Sequence, residues 1–481
     1  MTNLSHKTIV LCSDGTGNSA IKGRGTNVFK LYEALDIQGH KSDPTQARQI
    51  AFYDDGVGVS SNPIKKLLGD AFGYGFSENI RSLYIQLVRA YESKEDRIFL
   101  FGFSRGAFTI RALSGMVQKL GILQSAQFLN KDDLEKAVAL CWVEFSNDLF
   151  EGKAINKALL KDLIFFDTIE IDFIGVWDTV GAVGTPFYEI IDILNKSNSF
   201  YSQKPGRVKR ACQALSIDDQ RMTFRPELWD ETDAKPEQIE QVWFAGVHSN
   251  VGGGYPKQGM SLVALDWMMA QAEKSGLRFI TAARDYVSTE QDVHGELYNS
   301  RSGLGVYYRW QPRNIFKLCQ DRHITTPKIH VSVYERIAQI TADYAPGNIP
   351  FCSQVVSHNN WPSSLPLINI QTEIAKAGAP FPNQHSLIDS VSSTLCSGKA
   401  AYYTFLMATL FALIALIFNP FQSWCLSLIV IAITVFIMAT LIWTWTSRID
   451  HKLTLVYTSF WSGRLAINTS SLRKRLRSFG L

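Results

Sequence analysis

No Cys-x-x-Cys pair occurs in this sequence, and its seven cysteines, at 12, 141, 212, 319, 352, 396 and 425, are scattered and odd in number. A paired-thiol metal or redox site is therefore not expected, and a reducing compartment suits the chain better than a disulfide framework. A massed basic patch is missing as well: 48 Lys and Arg stand interspersed with 44 Asp and Glu, for a net charge of only +4. Nucleic acid is thus not an expected partner. With 19% charged and 46% apolar residues, the composition is neither that of a disordered acidic chain nor of a fibre. Residues 1–7 are polar and lack the apolar core of a secretory signal, so no cleaved export signal is expected.

What is present is a succession of short apolar runs ending at Gly, Asp, Ser or His turns. They lie at 8–12, 49–53, 97–101, 171–177, 211–217 and 241–245 and alternate with helix-like segments such as 79–91 and 131–150. This predicts an α/β fold with a mostly parallel sheet flanked by helices. Residues 1–256 read as the catalytic core. Residues 257–398, with weaker patterning and a helix candidate at 260–274, read as a cap or accessory region continuing it. Such sheets bind ligands at the carboxyl ends of their strands, so polar residues directly after each run are the candidates for chemistry.

Between Lys399 and Arg448 there is no charged residue. Apolar runs at 402–418 and 426–445, separated by Asn419-Pro420 and bordered by Trp424, Trp443 and Trp445, predict a transmembrane helical hairpin over 399–447. The tail, 448–481, is basic. Lys399 before the hairpin and Arg448 and Lys452 after it are residues retained on the cytoplasmic side, which predicts a multi-pass membrane protein with a cytoplasmic catalytic region in the producing cell. The bilayer is thus an expected partner.

The stretch 97–106 reads as a strand running into Gly102-Phe103-Ser104-Arg105-Gly106, followed by a helix at 107–120. This is a nucleophile elbow in its required setting, where glycines leave room for a strained turn that exposes the serine at a helix N-terminus. Ser104 is the candidate nucleophile. His248 follows the 241–245 run, opens the turn His-Ser-Asn-Val-Gly-Gly-Gly, and is the candidate base. Two acids fit between them, Asp178 after 171–177 and Asp218 after 211–217. Counting strands from the elbow favours Asp218, with Asp219 beside it. Asp14, Gly15 and Thr16 in the loop after the first strand, with Arg105, are the oxyanion and substrate-binding candidates. That loop lacks the Lys of a P-loop and the full Gly-x-Gly-x-x-Gly of a dinucleotide site. No metal site and no cofactor are expected.

The segments LCSDGTGNS, FGFSRGAFTIRALSGMV, FIGVWDTVGAVG, ALSIDDQRMTFRP and VWFAGVHSNVGGGYP occur in this order over about residues 7–256. Jointly they resemble the family of α/β-hydrolase domains that includes the phospholipase effectors of bacterial type VI secretion. The resemblance implies a Ser-Asp-His triad, with Ser104 at the nucleophile position, His248 at that of the base, and Asp178 and Asp218 both on family motif aspartates. It also implies cleavage of phospholipid acyl esters and a secretion or immunity protein as partner. Asn250 departs from the pattern, which has Asp in the block after the histidine. The expectation is a membrane-associated serine esterase or lipase acting on phospholipid, phospholipase A-like; the competing reading is a catalytically silent, membrane-tethered binding or toxin module.

Overall fold

The computed structural model describes residues 6–15, 25–55, 70–181, 204–302 and most of 308–358, with scattered positions between 403 and 444. The strands are β1 (Lys7–Ser13), β2 (Arg48–Asp54), β3 (Arg97–Phe103), β4 (Ile122–Leu123), β5 (Phe165–Phe166), β6 (Ile171–Trp177), β7 (Val208–Ser216), β8 (Ile239–Phe244), β9 (Lys328–His330) and β10 (Gln354–Val356). Eight of them form one sheet in the order β10-β9-β8-β7-β6-β3-β1-β2, with every neighbouring pair parallel, while β4 and β5 make a separate antiparallel pair. The expected α/β architecture is present, and the six expected strands all lie in this sheet. The additional strands β9 and β10 come from the region read as cap or accessory. At three residues each, they are too short to carry a period-two signal.

Both faces of the sheet are covered, as an all-parallel sheet requires. Alternation sends Val10 and Cys12 of β1, with Phe99, Phe101 and Phe103 of β3, to one face. There they meet the helices Asn27–Ala34, Gly259–Lys274 and Val331–Ala338. Ile9, Leu11, Ile98 and Leu100 point the other way, into a core with the helices Asp70–Ala90, Arg105–Leu120 and Lys131–Glu151. The last of these starts where the Asn130 side chain accepts the Asp133 N–H at 2.9 Å and ends at Gly152, whose φ of 65° suits a residue without Cβ.

The chain order reverses at β1, with β2 on one side and β3 followed by the later strands on the other. The strand ends are in register: Ser13 pairs with Gly102, Phe103 with Trp177, Trp177 with Ala214 and Ser216 with Phe244. Asp14, Ser104, Asp178 and the residues after β7 and β8 therefore emerge along one edge, at a topological switch point.

The hairpin expected over 399–447 lies largely outside the described residues. Among the described residues, no helix is long and apolar enough to cross a membrane. Within the second expected span, residues 429–434 and 436–438 are helical, and Ile429, Ile433, Phe436 and Ile437 are exposed.

Candidate active site

Ser104 stands between β3 and the helix Arg105–Leu120 with φ 58° and ψ −122°, a conformation a non-glycine residue adopts only when its surroundings impose it. They do so on both sides. The Ser104 N–H donates to the Trp177 carbonyl of β6 at 3.0 Å. A Cβ on Gly102 would lie 2.6 Å from the Gly106 carbonyl oxygen, and one on Gly106 would overlap the Ser13 carbonyl of β1. The glycines of the elbow are thus needed because the turn is pressed against its own helix and against β1. Ser104 is left at the N-terminus of a three-turn-or-longer helix, where the dipole favours developing negative charge.

His248 opens the short helix His248–Gly252 after β8. Its ring is buried between Phe103, 4.6 Å away between centroids, and the edge of Phe224 at 5.0 Å. Its Nδ1 lies 2.5 Å from Asp178 Oδ2. Asp178 follows β6 directly, has φ 42°, and is 0% exposed. It also accepts the Ser216 N–H at 3.0 Å, the Ser216 hydroxyl at 3.2 Å, and both terminal nitrogens of Arg313 at 2.6 and 2.8 Å. Burial, the largest influence, pushes the Asp178 pKa up. The charge and hydrogen bonds of Arg313, then those of His248, outweigh it and hold the carboxyl well below its ordinary range. An ionised Asp178 can only accept, so Nδ1 of His248 carries the proton and Nε2 is left as the acceptor. The His248 pKa is lowered, chiefly by burial, against the opposing hydrogen bond and charge of Asp178.

The strand count that favours Asp218 is not followed by the geometry, which brings Asp178 to the imidazole. The cause is local. Trp177 is the direct neighbour of Phe103, while the helix His248–Gly252 packs against β7 and carries the ring back toward the end of β6. Asp218 instead accepts the Gly246 N–H at 2.6 Å and the Tyr344 hydroxyl at 2.9 Å. Asp219 accepts the His248 backbone N–H at 3.1 Å and is bridged to Arg221 at 2.8 Å. Both residues after β7 thus hold the backbone of the loop whose side chain Asp178 engages. Their electrostatics differ: burial raises the Asp218 pKa to about 6 against weaker opposing contacts, whereas in Asp219 the charge and hydrogen bonds of Arg221 outweigh burial and lower it.

Asn250, where the family pattern has Asp, donates from Nδ2 to the Glu296 carbonyl at 2.9 Å while its Oδ1 takes the Val247 and Tyr298 N–H groups, each at 3.3 Å. A carboxylate could not make the first of these bonds, so the amide suits this loop. Arg221 lies over the Phe224 ring, 3.4 Å from its centroid, and Tyr308 packs edge-on to Phe224 at 5.3 Å, placing an aromatic and cationic wall beside His248. Arg105 is half-buried, and burial lowers its pKa to about 10.

Of the loop candidates, Asp14 is buried and committed inward. Its carboxylate accepts from Thr26 at 2.5 Å, from Tyr53 at 2.7 Å and from the Gly15 N–H at 2.6 Å, which takes that N–H out of the set of oxyanion donors. Burial, the largest influence, raises the Asp14 pKa to about 6 against these bonds. Thr16 lies outside the described residues. Arg313 was not anticipated from the sequence. It sits in an unpatterned Gln-Pro-Arg-Asn stretch, and only its partner distances reveal it. Among the described residues, no group of His, Cys, Asp and Glu could hold a metal ion.

Over 242 residues the chain is 28% identical to an uncharacterized protein of Saccharomyces cerevisiae, YEL023C, a match covering 46% of this chain and 32% of that one. The chain thus spans about a third of that relative's length. A crystal structure of an uncharacterized protein from Pseudomonas aeruginosa aligns with 60% of this chain and 49% of its own, at 18% identity and a TM-score of 0.34. Residues 7–271, more than half the chain and inclusive of Ser104, Asp178 and His248, match the model of the type VI secretion phospholipase effector Tle1-like catalytic domain, and the chain belongs to that family.

Proposed function

We propose that the protein is a serine esterase that cleaves acyl esters of phospholipids through Ser104, His248 and Asp178. One observation carries the reading: the 2.5 Å contact between His248 Nδ1 and a fully buried, ionised Asp178, made on the same strand edge where Ser104 is held in the elbow conformation. In this mechanism His248 Nε2 takes the Ser104 proton as the oxygen attacks the ester carbonyl. The Arg105 backbone N–H at the helix N-terminus receives the developing oxyanion. The proton passes from His248 to the leaving alcohol, and water, activated by the same imidazole, releases the fatty acid from Ser104. The Tle1-like family supports the phospholipid as substrate, and makes a secretion or immunity protein the partner class to expect.

Placement at a bilayer fits the same reading. The charge-free stretch between Lys399 and Arg448 contains exposed apolar helical residues, and the hydroxyls of Thr434, Thr440 and Thr444 donate to carbonyls of the preceding turn at 2.8 Å, which is compatible with lipid. We infer a hairpin anchor in the inner membrane that leaves the catalytic region on the cytoplasmic face of the producing cell. The decisive experiment is labelling with a fluorophosphonate, followed by hydrolysis of a short-acyl ester and of phospholipid vesicles. Wild type should be labelled and release fatty acid, and Ser104→Ala should fold yet do neither. A folded wild-type chain that leaves Ser104 unlabelled would be a binding or toxin module instead.

A further inference from the structure

The family-matched residues end at 271, yet the carboxylate that faces His248 is completed by a side chain beyond them. Arg313 Nη1 donates to Asp178 Oδ1 at 2.6 Å and Nη2 to Oδ2 at 2.8 Å, engaging both oxygens in a fork. The same nitrogens donate to the Ser216 and Phe224 carbonyls, each at 2.6 Å, so the guanidinium plane is fixed from both sides. Its backbone is delivered by the pairing of Gln311 N–H with the Gln220 carbonyl at 2.8 Å and of Met222 N–H with that of Arg309 at 3.0 Å. Asn348 closes the arrangement by donating to the Arg313 carbonyl at 3.1 Å and to that of Ile217 at 2.8 Å. Arg313 is itself buried, so this is a cation placed in the interior against the carboxylate that, among the described residues, bonds the imidazole.

We propose that Arg313 is a positioning residue for hydrolysis, fixing the Asp178 carboxylate against His248 and setting the pH at which that histidine can act as base. The proposal rests on the Ser104, His248 and Asp178 reading above. A carboxylate shared with a permanent cation attracts the imidazolium proton less than one left to the histidine alone. The other groups around His248 do not substitute for Arg313. Asp219 and Arg221, from the loop after β7, neutralise each other at 2.8 Å, and Asp218 faces Gly246 and Tyr344. The phenols of Tyr255 and Tyr308 lie in the field of Arg221. Without the guanidinium, Asp178 would keep only Ser216 and the histidine. Its full charge would then fall on His248, and its own burial would favour protonation. Both effects delay the active form, neutral imidazole on ionised Asp178, to higher pH.

The test uses the full chain, with the rate of fluorophosphonate labelling at Ser104 and the hydrolysis of a neutral short-acyl ester each followed against pH. Arg313→Met should move the acid limb of both profiles up by about 1–2 pH units. Arg313→Lys, which restores a charge without the fork, should move it by less than half as much. A folded Arg313→Met chain whose limb stays in place, whatever its loss of rate, would make Arg313 structural only and overturn the proposal. If Arg313→Met does not fold, Arg313→Lys decides. An upward limb supports positioning, and a limb at the wild-type position, whatever the labelling rate, overturns it. Failure of the wild type to label overturns the esterase reading and this proposal together. Labelled wild type with indifferent Arg313 variants overturns this proposal alone.

Discussion

Replacing Asp178 and Asp218 separately by Asn applies one chemical change to a fully buried and a half-buried aspartate at successive strand ends, and the structure predicts opposite results. In Asp178→Asn the amide nitrogen can face His248 Nδ1, which drives the imidazole proton to Nε2 and removes the acceptor for the Ser104 proton. Turnover should fall by about 10⁴, the size of the effect of the same substitution at the triad aspartate of a serine protease, equivalent to roughly 5 kcal/mol of barrier. The change also strips the anion from the Arg313 fork. Breaking a buried ion pair costs about 3–5 kcal/mol, so the melting temperature should drop as well. In Asp218→Asn the amide oxygen can still accept from Gly246 N–H and the Tyr344 hydroxyl, so activity should stay within a few-fold of wild type.

The pH dependence separates them further. The folded pKa of Asp218 is about 6 against an ordinary 3.8, so between these values the folded state binds the proton more tightly than the unfolded state. Stability from this group is present below about pH 4, declines as pH rises to about 6, and above that its ionised form is a cost of at most about 3 kcal/mol. Asp218→Asn should therefore gain on wild type at pH 7.5 relative to pH 4.5. Asp14, raised in the same window, is common to both chains and cancels in the difference. Ester hydrolysis and thermal unfolding at the two pH values make the measurement. A crippled Asp218→Asn beside a mild Asp178→Asn would refute the assignment of the acid.

Gly106→Ala should abolish ester hydrolysis and cost about 1–3 kcal/mol of stability, because its Cβ would overlap the Ser13 carbonyl and push the elbow off β1; thermal unfolding with wild-type ester turnover would refute the steric account. For the anchor, a Cys placed at Gln422 should react with an impermeant thiol reagent in intact producing cells and one at Ser470 should not, whereas the reverse pattern would invert the proposed orientation.

How far the sequence reached depends on the range of the interactions involved. The elbow is a contiguous pentapeptide between a buried strand and a helix, and everything it needs is local, so it was readable as a string. Six strands were readable because each is long enough to show an apolar run. The choice between Asp178 and Asp218 was not, since it depends on which strand lies beside β3 and on how a five-residue helix turns back over β7. Both are contacts across more than 30 residues that leave no local periodicity. Counting strands assumes that the acid follows a fixed position in the sheet, and here the carboxylate beside the nucleophile strand is the one engaged. Arg313 was still less accessible, being a single basic residue 135 positions from its partner in a stretch without pattern.

Burial raises the cost of ionising both the fully buried Asp178 and the half-buried Asp218, and their neighbours make the difference in outcome. Asp218 is hydrogen-bonded by a backbone N–H and a phenol and feels the Arg336 and Arg313 charges only as its weakest influences, and its pKa remains raised. Asp178 meets a guanidinium fork, a serine and an imidazole, and remains ionised despite complete burial. A carboxylate kept ionised in the interior is what an imidazole needs in order to take up a proton there, because the cation that forms would otherwise have no counter-charge. The cation that secures Asp178 in turn limits how strongly it can attract that proton. In the proposed mechanism the edge of the sheet would carry a compromise between holding Asp178 charged and leaving His248 sufficiently basic, and Arg313, proposed to set it, comes from beyond the part of the chain that matches the family.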